Sequence, residues 1–151
     1  MTDAPLPEGL AEIAEDFREA SNDLKLQLLL EFSDELPALP ERYAGQLDQL
    51  ERVDECQSPL FLTVEVGDGS TLDERVVHIF FDAPPQAPTT RGFAGILHEG
   101  LDGLTAAEIL AVPDDAPMRF GLSDAVSPLR MRGMVAMLAR IKRQVRAKSA
   151  A

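Results

Sequence analysis

The chain is poor in the residues that metal and disulfide chemistry require. Of its 151 residues one is cysteine, Cys56, and two are histidine, His78 and His98. A lone thiol excludes an intramolecular disulfide and any zinc site built from several cysteines. Two histidines far apart in sequence do not make a histidine-based metal site either. No apolar run approaches the roughly 20 residues that span a bilayer. The start, Met1-Thr2-Asp3-Ala4-Pro5, has neither the basic region nor the apolar core of a secretory signal. Together with an unpaired thiol, this predicts a cytoplasmic protein. The net charge of −12 argues against nucleic acid as a partner. Acid is absent from one region: none follows Asp124, whereas Arg130, Arg132, Arg140, Lys142, Arg143, Arg146 and Lys148 lie beyond it, half of the 14 Lys and Arg. Such a run suits the C-terminal end of a helix and complements an acidic body, without calling for a membrane. Its sharper reading is a basic helix that docks on a surface.

What is present describes one globular domain over residues 1–151, with 45% hydrophobic and 26% charged residues. Leu10, Ile13, Ala14 and Phe17 fall on one helical face. Ser21, Asn22 and Asp23 then offer a cap for a second helix, with Leu24, Leu28, Leu29, Phe32 and Leu36 turned inward and Pro37 and Pro40 ending it. A short helix is expected from about Glu41 to Leu50. The run Leu60-Phe61-Leu62-Thr63-Val64-Glu65-Val66, the turn Gly67-Asp68-Gly69-Ser70 and the run from Arg75 to Phe81 read as a β-hairpin. Two strands alone are marginal, so helices must cover one face, and a third strand would complete the sheet. Asp82 to Pro88 is a proline-rich loop. A helix follows from Thr89 or Thr90 to His98, ending at Gly100. Thr105-Ala106-Ala107-Glu108 is a capping box. Ser127-Pro128 opens a last helix with Met131, Met134, Val135, Leu138, Ile141 and Val145 on one face.

Cys56 lies in Glu55-Cys56-Gln57-Ser58-Pro59, a polar stretch before a strand. It is either a small buried hydrophobe or a nucleophile. Glu51, Asp54 and Glu55 oppose thiolate formation, so a positive group must come from elsewhere in the fold. A Cys-His enzyme needs an imidazole beside the thiol, and His78 in a strand and His98 at a helix end are poor candidates. Asp114-Asp115 does not fit a calcium loop. Gly67-Asp68-Gly69 lacks the lysine and helix of a phosphate loop. Met131, Met134 and Met137 read as core. Arg130 stands out because it occupies the first turn of its helix, where the dipole disfavours a cation.

In four segments the sequence resembles the SufE family, the sulfur-acceptor proteins of bacterial iron–sulfur cluster assembly. These are Cys56-Gln57-Ser58 followed by a strand, Asp82-Ala83 with Arg91-Gly92-Phe93-Ala94-Gly95-Ile96-Leu97, Thr105-Ala106-Ala107-Glu108-Ile109, and Ser127-Pro128-Leu129-Arg130-Met131-Arg132-Gly133-Met134. They occur in the family's order along nearly the whole chain. Glu55 departs from the family's usual Gly, Phe81 from its Ser, and Pro84 to Pro88 resembles an insertion.

The resemblance implies an α+β fold, a small antiparallel sheet with helices packed on one face. It implies that Cys56 accepts persulfide sulfur from a pyridoxal-phosphate-dependent cysteine desulfurase, stimulates that enzyme, and relays the sulfur to a downstream iron–sulfur scaffold complex. Gln57, Ser58, Asp82, Arg91 and Arg130 are implied in shaping the loop or docking the partner. No cofactor is expected on this chain, since the pyridoxal phosphate belongs to the desulfurase. Transfer between two thiols is consistent with one cysteine, no metal and no histidine base. The alternative is an adaptor of the same fold that binds a desulfurase or another protein without carrying sulfur.

Overall fold

The computed structural model describes residues 5–150, so Met1 to Ala4, where the absence of a signal peptide is read, and Ala151 lie outside the described residues. Five α-helices and one three-stranded antiparallel sheet are found among them. Helix α1, Glu8–Glu19, buries the expected Leu10, Ile13, Ala14 and Phe17. Helix α2, Asn22–Glu35, is capped by Ser21, whose Oγ accepts from the Leu24 amide at 3.3 Å. Its expected inward face is only partly so. Leu29 and Leu36 are buried, but Leu24 is 45% exposed, and Lys25 takes a buried position by donating to Gly121 O at 2.9 Å.

The segment from Glu41 to Leu50 is not the expected helix. It makes two 3-10 turns, Glu41–Tyr43 and Leu47–Gln49, separated by Gly45 at φ 71°, and crosses the outer face of the sheet as a strap. Tyr43 lies tilted against Phe80, with 5.5 Å between ring centroids, and donates from its hydroxyl to Glu65 at 2.6 Å. Cross-sheet partners thus outcompete a short helix that contains a glycine.

The sheet has the order β1-β2-β3, with β1 Glu51–Arg52, β2 Phe61–Val66 and β3 Val77–Asp82. The third strand that two strands required is β1, which pairs Glu51 with Leu62 and Arg52 with Phe61. Along β3, Val77, Ile79 and Phe81 face the core while His78 is exposed, as a two-residue period demands. Beyond the short β1, the free edge of β2 is covered by helix α5, Pro128–Ser149. Gln144 accepts from the Val64 amide at 2.9 Å and Lys148 donates to Val64 O. Helical side chains replace a missing strand and close an edge that would otherwise invite pairing.

Helix α3, Pro88–Leu101, runs past His98. Gly100 does not end it but lies inside it against Leu10, and Gly103 at φ 89° makes the turn. Gly92 and Gly95 let α2 approach backbone to backbone: a methyl group on Gly95 would collide with Phe32 O. Helix α4, Ala106–Leu110, carries the full capping box. One hydrophobic cluster joins all five helices and the sheet.

Candidate functional site

Cys56 sits on the loop that joins β1 to β2. The loop is pinched at its base, where the Val53 amide donates to Leu60 O at 2.9 Å and both side chains are wholly buried. Within it the Cys56 amide donates to Val53 O at 3.1 Å. The thiol is half-buried and packs on the core, facing helix α5. A methyl group on Gly133 would lie 2.9 Å from Cys56 Sγ, so the glycine leaves a bare patch of helix where the sulfur rests. This gives the Ser127-to-Gly133 motif its physical meaning. Ser127 Oγ accepts from the Arg130 amide at 3.3 Å, Pro128 starts the helix, and Gly133 comes one turn later under the cysteine.

The electrostatics oppose a free thiolate. Burial, reinforced by the charge of Glu55, pushes the Cys56 thiol up to about 11, and Arg140 offsets part of this. Arg140 is therefore the positive group that the acidic loop requires. Its Nη1 lies 2.8 Å from Glu55 Oε1 and its Nε 3.2 Å from Glu51 Oε2. Glu51 also takes Arg143 and accepts from Gln144 Nε2 at 2.9 Å. Burial pushes the Glu51 carboxyl up, but these partners outweigh it and hold it below its ordinary value.

The other expected residues are placed as follows. Gln57 is exposed and Ser58 half-buried on the same loop. Asp82 ends β3 opposite Phe61, at the end of the sheet where the cysteine loop rejoins β2. Arg91 is a brace: it donates to Ala83 O at 2.8 Å and to Ser33 O at 3.1 Å, tying α2 to the segment after Asp82. Arg130 is exposed, one turn before Gly133, and its guanidinium has no ion-pair partner among the described residues. The histidines sit elsewhere, around Asp102, at 3.4 Å for His78 and 3.8 Å for His98. His78 is opposite Glu65, four residues and roughly 13 Å along the strand from the Phe61–Asp82 pair. Neither is a base for Cys56. Met131, Met134 and Met137 are core, and Asp114 pairs with Lys142 at 2.7 Å. No group of three or more metal-ligating side chains occurs among the described residues.

Sequence reasoning missed Gly133 and Arg140 as the parts of α5 that face the cysteine loop. A glycine inside a strongly helical run was the available signal for the first. Arg140 lies seven residues further, on the same helical face. The cations after Arg130 do not form one solvated face: Arg140 is largely buried against the loop, and Lys142 is buried and donates to Val112 O at 2.6 Å. Beside the loop, a largely apolar groove of about 490 Å³ is lined by Glu55, Met118, Met131, Val135, Ala136 and Ala139, among others. No helix among the described residues is long and apolar enough to cross a membrane.

Comparison with known proteins bears on the family and the fold. The model of the family SufE, described as an "Fe-S metabolism associated domain", matches residues 11–145. An uncharacterized SufE-like protein occurring in two strains of Mycobacterium tuberculosis is 54% identical over 143 residues, 95% of each chain. An uncharacterized SufE-like protein of Synechocystis is 28% identical over 134 residues, 88% of this chain and 77% of that one. The solution structure of a hypothetical protein from Thermus thermophilus superposes with a TM-score of 0.79 at 35% identity, covering 97% of this chain and all of that one. A family match across residues 11–145 and 54% identity over 95% of the chain show that the chain belongs to the SufE family.

Proposed function

We propose that this protein accepts persulfide sulfur on Cys56 from a pyridoxal-phosphate-dependent cysteine desulfurase, stimulates that enzyme, and relays the sulfur to an iron–sulfur scaffold complex. The carrying observation is one thiol held at a loop tip on a glycine of α5, with no second thiol and no imidazole in reach. The Cys56 thiolate attacks the terminal sulfur of the donor's Cys–S–SH. The new bond is Cys56–S–SH, the donor's S–S bond breaks, and the donor leaves as a thiolate. No oxidant is consumed and no metal is required. A lone cysteine also keeps the product, because a second one would release the sulfur and close a disulfide. Gln57 and Ser58 shape the loop, and Asp82 and the exposed Arg130 face the docked desulfurase.

Incubation with a cysteine desulfurase and cysteine should add one sulfur atom to the Cys56 peptide, read by mass spectrometry, and none to Cys56→Ser. The adaptor reading draws on a thiol that is sheltered and poorly ionised at rest. It prevails if the Ser variant stimulates the desulfurase as well as the parent does.

A further inference from the structure

The charges around Cys56 form a balanced set rather than a simple activating pair. Helical side chains lean toward the N-terminus of their helix. Arg140, two turns beyond Gly133, therefore reaches back along α5 toward the bare patch on which Cys56 rests. There it meets Glu55, the immediate neighbour of the cysteine, and Glu51 at the base of the loop. Its side chain is only 18% exposed. Its Nε is buried and has no hydrogen-bond acceptor among the described residues, because Glu51 Oε2, although 3.2 Å away, is out of line. A buried guanidinium N–H without an acceptor is unusual, and leaves a donor free on the cation that pairs with the neighbour of the cysteine. Of the remaining charges near the loop, Asp54 is 3.7 Å from Arg52, Arg143 holds Glu51, Arg130 is exposed in the first turn of α5, and Arg132, also exposed, lines the same groove as Glu55 without an ion pair to it among the described residues.

We propose that Arg140 is the positioning residue for sulfur chemistry at Cys56, and that Glu55 competes with the sulfur for it. In the resting protein the guanidinium is engaged by two carboxylates. When the Glu55 side chain turns away from α5 while Cys56 stays on Gly133, the cation is released to the thiolate. Glu55 adjoins the cysteine and pairs with Arg140 at 2.8 Å, so the competitor is built into the loop that carries the sulfur. The direction agrees with the charges acting on the thiol, which Glu55 raises and Arg140 lowers. The inference rests on Cys56 being the reacting sulfur, but it is tested in the free protein, without a desulfurase.

The test is the rate of alkylation of Cys56 by iodoacetamide, followed by mass spectrometry from pH 7 to 11.5 in the full chain, with circular dichroism to check the fold. The thiolate attacks carbon, iodide leaves, and the thiol proton goes to solvent, so the rate follows the thiolate. Glu55→Gln should raise the rate at pH 8 by about threefold to tenfold, the change that half to one pKa unit makes in the thiolate fraction. Its profile should shift to lower pH. Arg140→Gln should lower the rate by a similar factor and shift the profile up, and Arg140→Lys should restore much of the shift. In an Arg140→Gln background, Glu55→Gln should have a clearly smaller effect. An unchanged profile in Arg140→Gln overturns the proposal. So does an effect of Glu55→Gln that is equal with and without Arg140, which would show plain repulsion rather than competition. Persulfidation by a desulfurase is a separate reading, so loss of that function and loss of this one are distinguishable.

Discussion

Two glycines, Gly95 and Gly133, each leave a helix bare, and the two bare patches are filled differently. On α3 the space at Gly95 is taken by backbone: Phe32 O of α2 stands where a methyl group would have to go. On α5 the space at Gly133 is taken by the end of a loop side chain, Cys56 Sγ, which would be 2.9 Å from a methyl group there. Backbone pinned within two packed helices cannot yield. A sulfur on a loop held by few bonds can. The first contact is architecture, and the second is a resting place from which a reactive group can leave. Stability differs across the fold in the same sense, since loops with few buried contacts open at lower cost than packed helices.

The largest effect should come from testing the rigid side. Gly95→Ala gains about 1 kcal/mol of helix propensity but drives a methyl group into a carbonyl oxygen. The clash should dominate, with a net loss of about 3 kcal/mol in urea denaturation, at the upper end of overpacking costs. A variant as stable as the parent would show that the helix pair adjusts freely and would remove the contrast.

The next effect concerns the sheltered thiol. Its folded value, about 11, lies above its ordinary value of 9.0. The native state thus holds the proton more tightly than the unfolded chain. Stability from this source is fully present below about pH 9 and is lost as pH rises toward 11. Cys56→Ser lacks that titration. Between these pH values the parent should therefore lose about 1–2 kcal/mol relative to the Ser variant, the full linkage value being reduced by the water that reaches a half-buried group. Parallel stability curves for the two proteins would mean that the thiol is not sheltered in solution.

Gly133→Ala should be the mirror of Gly95→Ala. The same gain in propensity is set against a loop that can move aside, so stability should stay within about 1 kcal/mol of the parent. Cys56, displaced outward, should react several-fold faster with a bulky thiol reagent. Collapse of the fold in this variant would place Gly133 in the same class as Gly95.

Much of the molecule was legible from pattern. The apolar period of α1, the alternation in β3 and the cap of α5 follow from local rules, and the structure has them where those rules put them. The failures share a cause. Glu41 to Leu50 is a strap because Tyr43 and Arg42 find Glu65 and Phe80 across the sheet. Lys25 is buried because Gly121 O, 96 residues away in sequence, accepts a hydrogen bond from its ammonium group. Gly100 reads as a helix end, yet it is where α1 lies against α3. Arg140 is the same case at the site. The need for a cation near Cys56 is visible in Glu51, Asp54 and Glu55. Which cation answers depends on how α5 lies against the loop, and no local pattern carries that.

The smallest effect on stability should come from Arg130, and it separates docking from packing. Arg130→Ala and Arg146→Ala both remove exposed cations of α5 and should each change stability by no more than about 0.5 kcal/mol. Only Arg130, one turn from Gly133, should matter for stimulation of a desulfurase. Equal losses from both at matched ionic strength would mean that only bulk positive charge is sensed.

The central claim is that the sulfur resting on Gly133 is the one that reacts. Its most direct test is intact-mass and peptide mass spectrometry after incubation with a cysteine desulfurase and cysteine. The account predicts one added sulfur atom per chain, located on Cys56 and absent from Cys56→Ser. A chain that stimulates the desulfurase yet never gains sulfur, with the Ser variant equally effective, would contradict it.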